Sequence, residues 1–214
     1  ITFVFALMLS VTSVIGPAAA KNWNTGSSNQ NSNKSALIQT VEITTSDGLS
    51  GYFDIFEGNA LPKKTITATL YLPSECDDKK FPAVIIQHGS GSPEKPWYSK
   101  LAMELNKRGI VAIVPNSFKA RGISSTGSNQ SKLSKATRLV DAFSTFKYLR
   151  TLNCVDPNRI GLTGYSFGGI IALDSAEKKI ASKLGGGFEY KAVLPVYPSC
   201  QATFENPKST KTKI

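Results

Sequence analysis

The sequence predicts an α/β protein in which a mainly parallel sheet carries helices on both faces and an antiparallel edge at its front. Strands near the N-terminus alternate apolar and polar residues, which is typical of half-buried antiparallel strands. Later strands are apolar on both faces, as parallel strands covered on both sides are. Helical stretches separate these later strands, so the predicted order is β, β and then β-α-β-α-β-α-β.

The front strands come first along the chain, at residues 41–44 and 65–72. The predicted parallel strands are the apolar runs at 83–86, 110–114, 160–162 and 192–196. Apolar residues at i, i+3, i+4 and i+7 predict helices at 98–109, 136–149 and 168–184. The polar segment 121–134 is predicted to be a loop near the functional site.

Residues 1–20 carry no charge and end on Ala18-Ala19-Ala20. This pattern predicts a secretory signal peptide whose basic start is missing, and hence a periplasmic or extracellular protein. A membrane anchor is the alternative, but polar residues and Pro17 interrupt a run that would need about 20 mostly apolar residues. We therefore expect no stable membrane span after signal removal.

Residues 21–36 are rich in Asn, Ser and Gly, which predicts a flexible linker. Residues 37–214 then form one domain. The chain starts with Ile1 and not Met, and it ends on Ile214 without a turn or cap, so we expect both ends to be cut and this domain to lack its C-terminal part.

The formal net charge of +10 raises the question of a nucleic-acid partner. The lysines are scattered, and the only dense cluster lies at residues 208–213, so a solvated surface is favoured over nucleic-acid binding. Cys76, Cys154 and Cys200 fit no metal-binding spacing, and nothing calls for a metal or an organic cofactor. We expect Cys200 to pair beyond residue 214 or stay free, which leaves Cys76 and Cys154 as the only internal couple.

Residues 164–168 read Gly-Tyr-Ser-Phe-Gly and match the pattern Gly-x-Ser-x-Gly. They lie between a predicted strand and a predicted helix, which is the context that this nucleophile motif requires. A serine hydroxyl must project from a tight turn for a base to reach it, and glycines permit such a turn. Ser166 is therefore the predicted nucleophile, with a positive φ and facing residues 88–91. An incidental serine in a glycine-rich turn is the alternative that this placement disfavours.

Residues 87–91, Gln-His-Gly-Ser-Gly, follow the strand 83–86 and precede a helix. An oxyanion hole needs two fixed N–H groups, and we expect them to come from Phe167 and from Ser90 or Gly89. His88 is the only histidine in the chain. It is predicted to support this loop and not to act as the base, because the acid and the histidine normally follow the serine along this fold.

No histidine follows Ser166. The acids that do follow it are expected on a helix or at the surface, namely Asp174, Glu177, Glu189 and Glu205. A catalytic triad therefore cannot close within these residues, and its acid and histidine are expected beyond residue 214.

Four segments, at 81–91, 115–122, 156–169 and 193–200, resemble the dienelactone hydrolase family within the α/β-hydrolases. The resemblance covers the chain from about residue 37 to its end. Dienelactone hydrolases proper carry Cys at the centre of the tight turn between strand and helix, called the nucleophile elbow, where this chain carries Ser166. The resemblance implies an esterase-like hydrolase whose missing acid follows the next strand, started by residues 208–214, and whose histidine follows the last strand.

The predicted reaction is the transfer of an acyl group from a small ester-like substrate to Ser166 and then to water. Arg121 is a candidate contact for an anionic substrate, with a surface arginine as the alternative. A non-catalytic binding protein on the same scaffold and a peptidase of the prolyl-oligopeptidase type remain open as functions. The 214-residue chain alone is expected to be inactive and, because the strand at 192–196 is an open sheet edge, poorly soluble. No oligomeric state is predicted.

Overall fold

A computed structural model of the chain describes residues 36–57, 61–73, 79–199 and 207–214. The predicted signal peptide and nearly all of the predicted linker lie outside these residues, as do Cys76, Cys200 and Glu205. No helix within the described part of the chain is long and apolar enough to cross a membrane.

Six strands form one sheet in the order β1-β2-β4-β3-β5-β6. The strands are β1 (Leu37–Ser46), β2 (Lys63–Leu72), β3 (Phe81–Gln87), β4 (Val111–Asn116), β5 (Val155–Tyr165) and β6 (Ala192–Val196). β1 and β2 are antiparallel to each other, and β2 is antiparallel to β4. The other pairings are parallel. This arrangement confirms the mainly parallel sheet with an antiparallel front edge, which is the mixed sheet of an α/β-hydrolase-like fold.

Five helices flank this sheet in the described residues: α1 (Tyr52–Glu57), α2 (Pro96–Asn106), α3 (Lys135–Thr151), α4 (Phe167–Asp174) and α5 (Lys178–Leu184). Of two 3₁₀ turns, Gln130–Lys132 lies in the segment predicted as a polar loop, and Lys119–Arg121 ends where that segment begins. The short helix α1 was not predicted, because only Ile55 is buried in its six residues and it has no apolar stripe.

The helices cover both faces of the sheet, as predicted. On one face α3 and α4 pack over the larger apolar cluster, which includes Phe143, Phe146 and Ile171. On the other face α2 packs over a smaller cluster that includes Ile86, Tyr98 and Tyr165. The alternating strand β2 buries its apolar residues on the α3 side and leaves its threonines only partly covered.

The single helix predicted at 168–184 is wrong, because the structure breaks it into α4 and α5. At the break Glu177 has an extended backbone (φ −71°, ψ 129°), and its carboxylate accepts a hydrogen bond from the N–H of Ile180 as an N-cap. The N–H of Lys178 then donates to the carbonyl of Lys208. A bond to a distant segment thus replaces the intrahelical bond that the periodicity predicted.

The open edge predicted at β6 is partly covered. The N–H of Val193 donates to the carbonyl of Lys213, and Ala192 forms a parallel bridge with Lys213. The expected start of a next strand at residues 208–214 therefore lies where it was predicted.

Cys154, just before β5, is disulfide-bonded. Its partner lies outside the described residues, where both remaining cysteines are found.

Candidate active site

Ser166 occupies the turn between β5 and α4 and is exposed. Its backbone has φ 54° and ψ −117°, a conformation that L-residues rarely adopt and that commonly marks functional sites. Its N–H donates to the carbonyl of Val196 at 3.0 Å, which ties the turn to the end of β6. The predicted strand, strained turn and helix are therefore confirmed.

Glycines make this turn sterically feasible, as expected. A Cβ atom on Gly164 would overlap the carbonyl oxygen of Gly168, and a Cβ on Gly168 would overlap the carbonyl of Gln87. At both positions backbone packs directly against backbone, so the neighbouring segment cannot move aside to make room for a Cβ atom. Helix α4 therefore starts directly against β3 and β5.

The loop of residues 88–91 faces Ser166, as predicted. A Cβ built on Gly89 would lie 3.7 Å from the Cβ of Ser166 and 3.0 Å from the carbonyl oxygen of Tyr165. However, the N–H of Gly89 donates to the hydroxyl of Tyr98 at 2.8 Å. Because this bond occupies the amide, Gly89 is disfavoured as an oxyanion donor.

Two of the predicted oxyanion donors, Ser90 and Phe167, keep the unbonded amides that an oxyanion hole needs. The N–H of Ser90 makes no hydrogen bond within the described residues. The N–H of Phe167 is the first of helix α4, and a helix leaves its first amides without internal acceptors. The partial positive charge at this helix end adds to the attraction for an anion.

His88 supports the loop, as predicted, and both of its ring nitrogens are engaged. The N–H of Ser117 donates to Nε2 at 3.3 Å, so Nε2 is an acceptor and the proton lies on Nδ1, 2.8 Å from the carbonyl of Gly89. Burial and then the nearby Arg138 charge hold the pKa of His88 well below its ordinary value of 6.5. A fully buried neutral imidazole with both nitrogens occupied is not placed to take a proton from Ser166.

Arg138, on α3, is a support of the loop that the sequence analysis missed. Its guanidinium is fully buried and donates to the carbonyls of His88 and Gly89. It lies over the ring of Phe167 at 4.7 Å. Burial lowers its pKa to about 10, which leaves it charged at neutral pH. The available signal was an arginine in the apolar stripe of a helix, one turn before the buried Ala142.

Arg121 is not the surface arginine that was one of the two alternatives for it. Its side chain is 5% exposed and makes a bidentate ion pair with the buried carboxylate of Asp141, at 2.8 and 3.0 Å. It also donates to Asp47 at 3.0 Å and to the carbonyl of Ser117 at 2.7 Å. These bonds join β1, α3 and the end of β4, so the geometry assigns Arg121 to the framework and opposes a substrate contact.

The polar segment 121–134 does lie beside the site, as predicted. The N–H of Thr126 and the hydroxyl of Ser125 both donate to the carbonyl of Ser90, at 2.8 and 3.0 Å. These bonds fix the peptide group between Ser90 and Gly91, and thereby the position of Ser90 in the loop.

The three described acids that follow Ser166 are bonded elsewhere. Asp174 is buried and accepts the hydroxyl of Tyr52. Glu177 caps α5, and Glu189 accepts the N–H of Lys211 at 3.2 Å. The described residues thus place Ser166 at the start of helix α4 and against the loop of residues 88–91, without an acid or base partner for the serine.

Comparison with known proteins agrees with this fold. Residues 66–214 match the model of the dienelactone hydrolase family. The polyketide transferase claH of Penicillium crustosum is 26% identical over 170 residues, which are 79% of this chain and 47% of that protein. The chain therefore spans about half the length of this curated relative.

Solved structures support the fold. The α/β-hydrolase GrgF from Penicillium sp. sh18 is 21% identical with a TM-score of 0.54, over 76% of this chain and 46% of that one. Dipeptidyl peptidase 4 of Porphyromonas gingivalis is 19% identical with a TM-score of 0.52, over 77% of this chain and 21% of that one. With a family match over most of its length and this fold around Ser166, the chain belongs to the dienelactone hydrolase family of the α/β-hydrolases.

Proposed function

We propose that this chain carries the nucleophile and the oxyanion hole of a serine hydrolase that cleaves a carboxylic ester or a related carbonyl bond through an acyl-enzyme. The observation that carries the proposal is the exposed Ser166, held at φ 54° at the start of helix α4 and facing the loop that carries the Ser90 amide. Esterase-like hydrolysis is also the chemistry that membership of the family favours.

In the proposed mechanism a base removes the hydroxyl proton of Ser166, and Oγ attacks the ester carbonyl carbon. The negative charge that develops on the carbonyl oxygen is held by the N–H groups of Phe167 and Ser90. The loss of one such donor costs about 3 kcal/mol of transition-state stabilisation. The alcohol then leaves with a proton, and water releases the acyl group from Ser166.

The base in this proposal comes from residues that follow Ile214. His88 is the only histidine, and its nitrogens are bonded to Ser117 and Gly89. The match to only 47% of the curated relative's length supports a longer protein. We further propose that this protein is exported by the signal peptide at residues 1–20, acts on a small ester-like substrate and needs no metal or organic cofactor.

The test compares the 214-residue chain with the longer reading frame in the hydrolysis of a simple ester. We expect turnover by the longer protein, its loss in Ser166→Ala, and no turnover by the 214-residue chain. The matched control Ser125→Ala removes a loop hydroxyl while keeping the Thr126 bond to Ser90, and it should retain most activity. Turnover that survives Ser166→Ala would refute the nucleophile. An inactive longer protein that binds esters would favour a binding scaffold.

A further inference from the structure

Four aromatic side chains surround the turn that carries Ser166, and we call them the aromatic wall: Trp97, Tyr98, Tyr165 and Tyr197. The rings of Trp97 and Tyr98 are 3.5 Å apart, and the edge of Trp97 meets Tyr165 at 4.4 Å. Tyr165 in turn meets Tyr197 at 6.0 Å. The rings therefore form a continuous row.

This row is attached directly to the candidate oxyanion hole. Tyr165 immediately precedes Ser166, and Tyr98 holds the N–H of Gly89 with its hydroxyl. Tyr197 follows Val196, whose carbonyl accepts the N–H of Ser166. A ligand bound at Ser166 therefore has the aromatic wall as its neighbour.

Tyr197 has an unusual backbone and an unusual exposure. It and Ser166 are the only non-glycine residues with positive φ in the described ranges, at 40° for Tyr197. Its side chain is nevertheless 67% exposed, so burial of the ring does not account for the strained backbone. Strain of this kind is unfavourable and persists only where the surrounding structure imposes it, commonly at functional sites. Here it holds an exposed ring beside the nucleophile.

The wall is aromatic, and its two buried tyrosines, Tyr98 and Tyr165, have raised pKa values. Burial is the main cause that raises the pKa of Tyr165 to about 12, and electrostatic interactions with Tyr197 and Tyr98 add to it. Burial also raises the pKa of Tyr98. Aromatic faces and edges attract other aromatic rings in offset or edge-to-face geometry, beyond the gain from apolar contact alone. A flat unsaturated ring is thus the group that this surface fits better than a saturated one.

We propose that the aromatic wall binds an aromatic ring of the substrate. The ester cleaved at Ser166 then carries an aryl or arylmethyl group on its ester oxygen. The exposed Tyr197 and the partly exposed Trp97 contact the substrate ring. The hydroxyl of Tyr98 is bonded to the amide of Gly89 in the loop. This inference rests on the proposed function for the reaction, whereas the binding of the ring can be measured without catalysis.

The binding test uses the fluorescence of Trp97 in a chain that carries Ser166→Ala and Trp23→Phe, since Trp23 is the only other tryptophan. The probes are benzyl acetate and cyclohexylmethyl acetate, which have the same connectivity and differ in ring unsaturation. We expect a saturable change with benzyl acetate and about three- to tenfold weaker binding of the saturated ester. Tyr197→Leu should remove this preference, whereas Phe53→Leu, at an exposed phenylalanine on α1, should preserve it.

A second measurement uses the longer reading frame with Ser166 intact. The ratio of kcat/KM for benzyl over cyclohexylmethyl acetate should exceed three and fall towards one in Tyr197→Leu. Equal binding and equal kcat/KM for the two esters would overturn the proposed binding of an aromatic ring but not the proposed hydrolase function. Selective binding of benzyl acetate by a protein without turnover would retain the wall and overturn the proposed function.

Discussion

Buried polar side chains hold the loop beside Ser166 in place. His88 and Arg138 are both fully buried, and both bond to the carbonyl of Gly89, while Arg138 also bonds that of His88. A buried carbonyl without a donor costs roughly 1–3 kcal/mol, so these side chains satisfy groups that the turn would otherwise leave unpaired. The amide of Gly89 is bonded to Tyr98, whereas the N–H of Ser90 makes no hydrogen bond within the described residues.

The titration of His88 makes the stability of the domain depend on pH. Its pKa is depressed in the folded state, so below its ordinary value of 6.5 the unfolded chain binds more protons than the folded one. The stability contributed by neutral His88 is present above pH 6.5 and is lost as the pH falls, by up to about 1.4 kcal/mol per pH unit. Denaturant unfolding between pH 7.5 and 5 should show this slope.

His88→Asn is the control for this pH dependence. The variant should be less stable at pH 7.5, because it loses bonds to Ser117 and Gly89, and its stability should be flatter from pH 6.5 to 5. The chain has no other histidine that could produce a slope in this range. An unchanged slope in the variant would show that His88 does not remain neutral in the folded protein.

Packing at the elbow predicts the cost of a single methyl group. Gly168→Ala would place a Cβ against the carbonyls of Gln87 and His88, and the forced separation should cost about 1–3 kcal/mol of unfolding free energy. Gly51→Ala is the matched control, since a Cβ there meets nothing within 4 Å. Chemical denaturation compares them, and a destabilised Gly51→Ala beside a neutral Gly168→Ala would contradict the packing.

At the scale of elements, the segment 207–214 links the two short helices to the edge of the sheet. The carbonyl of Lys208 accepts the N–H of Lys178, and the N–H of Thr210 donates to the carbonyl of Ala176 at 3.0 Å. The carbonyl of Lys213 accepts the N–H of Val193. The segment thus holds the break between α4 and α5 and covers the start of β6.

Removal of residues 208–214 should therefore lower both stability and solubility. The deletion frees backbone groups of Lys178 and Ala176 and exposes the β6 edge, which promotes pairing between chains. We expect a lower midpoint of thermal unfolding and more aggregate by light scattering. Replacement of Lys208, Lys211 and Lys213 by Ala keeps the backbone bonds and should retain the midpoint. Equal losses in both variants would assign the effect to charge.

At the scale of the molecule, the sheet register constrains the disulfide of Cys154. The N–H of Phe81 donates to the carbonyl of Cys154, and Cys76 lies only five residues before Phe81. Cys200 lies four residues beyond Val196, which pairs with Tyr165 at the other end of β5. By the register of β3 on β5 these ends are about 23 Å apart, whereas four residues reach at most about 14 Å. A disulfide needs Cα atoms within about 7 Å.

We therefore predict a bond between Cys76 and Cys154, with Cys200 outside it. Mass spectrometry of peptides from the non-reduced protein should recover the crosslinked pair. Cys76→Ser and Cys154→Ser should each lower the free energy of unfolding by about 2–4 kcal/mol, and Cys200→Ser should not. A peptide that joins Cys154 to Cys200 would contradict the register.

The residue pattern by itself determined the fold class and the strained turn that carries Ser166, the predicted nucleophile. Hydrophobic periodicity is local, so the alternation in β2 and the apolar runs of the parallel strands were readable. The strand-turn-helix at Ser166 was readable because its glycines lie within five residues of one another, and Gly164 is required by a close contact with Gly168 inside the same motif. The role of His88 followed from its place in the chain order, and the structure confirms it.

Only the tertiary structure decided which polar groups are already engaged in hydrogen bonds or ion pairs with other residues. The amide of Gly89 is taken by Tyr98, Arg121 is paired with Asp141, and Arg138 reaches the loop from a helix about fifty residues away. The break between α4 and α5 depends on a bond from Lys178 to Lys208. Each of these is a contact between residues distant in the chain, and local periodicity contains no information about which distant donor meets which acceptor.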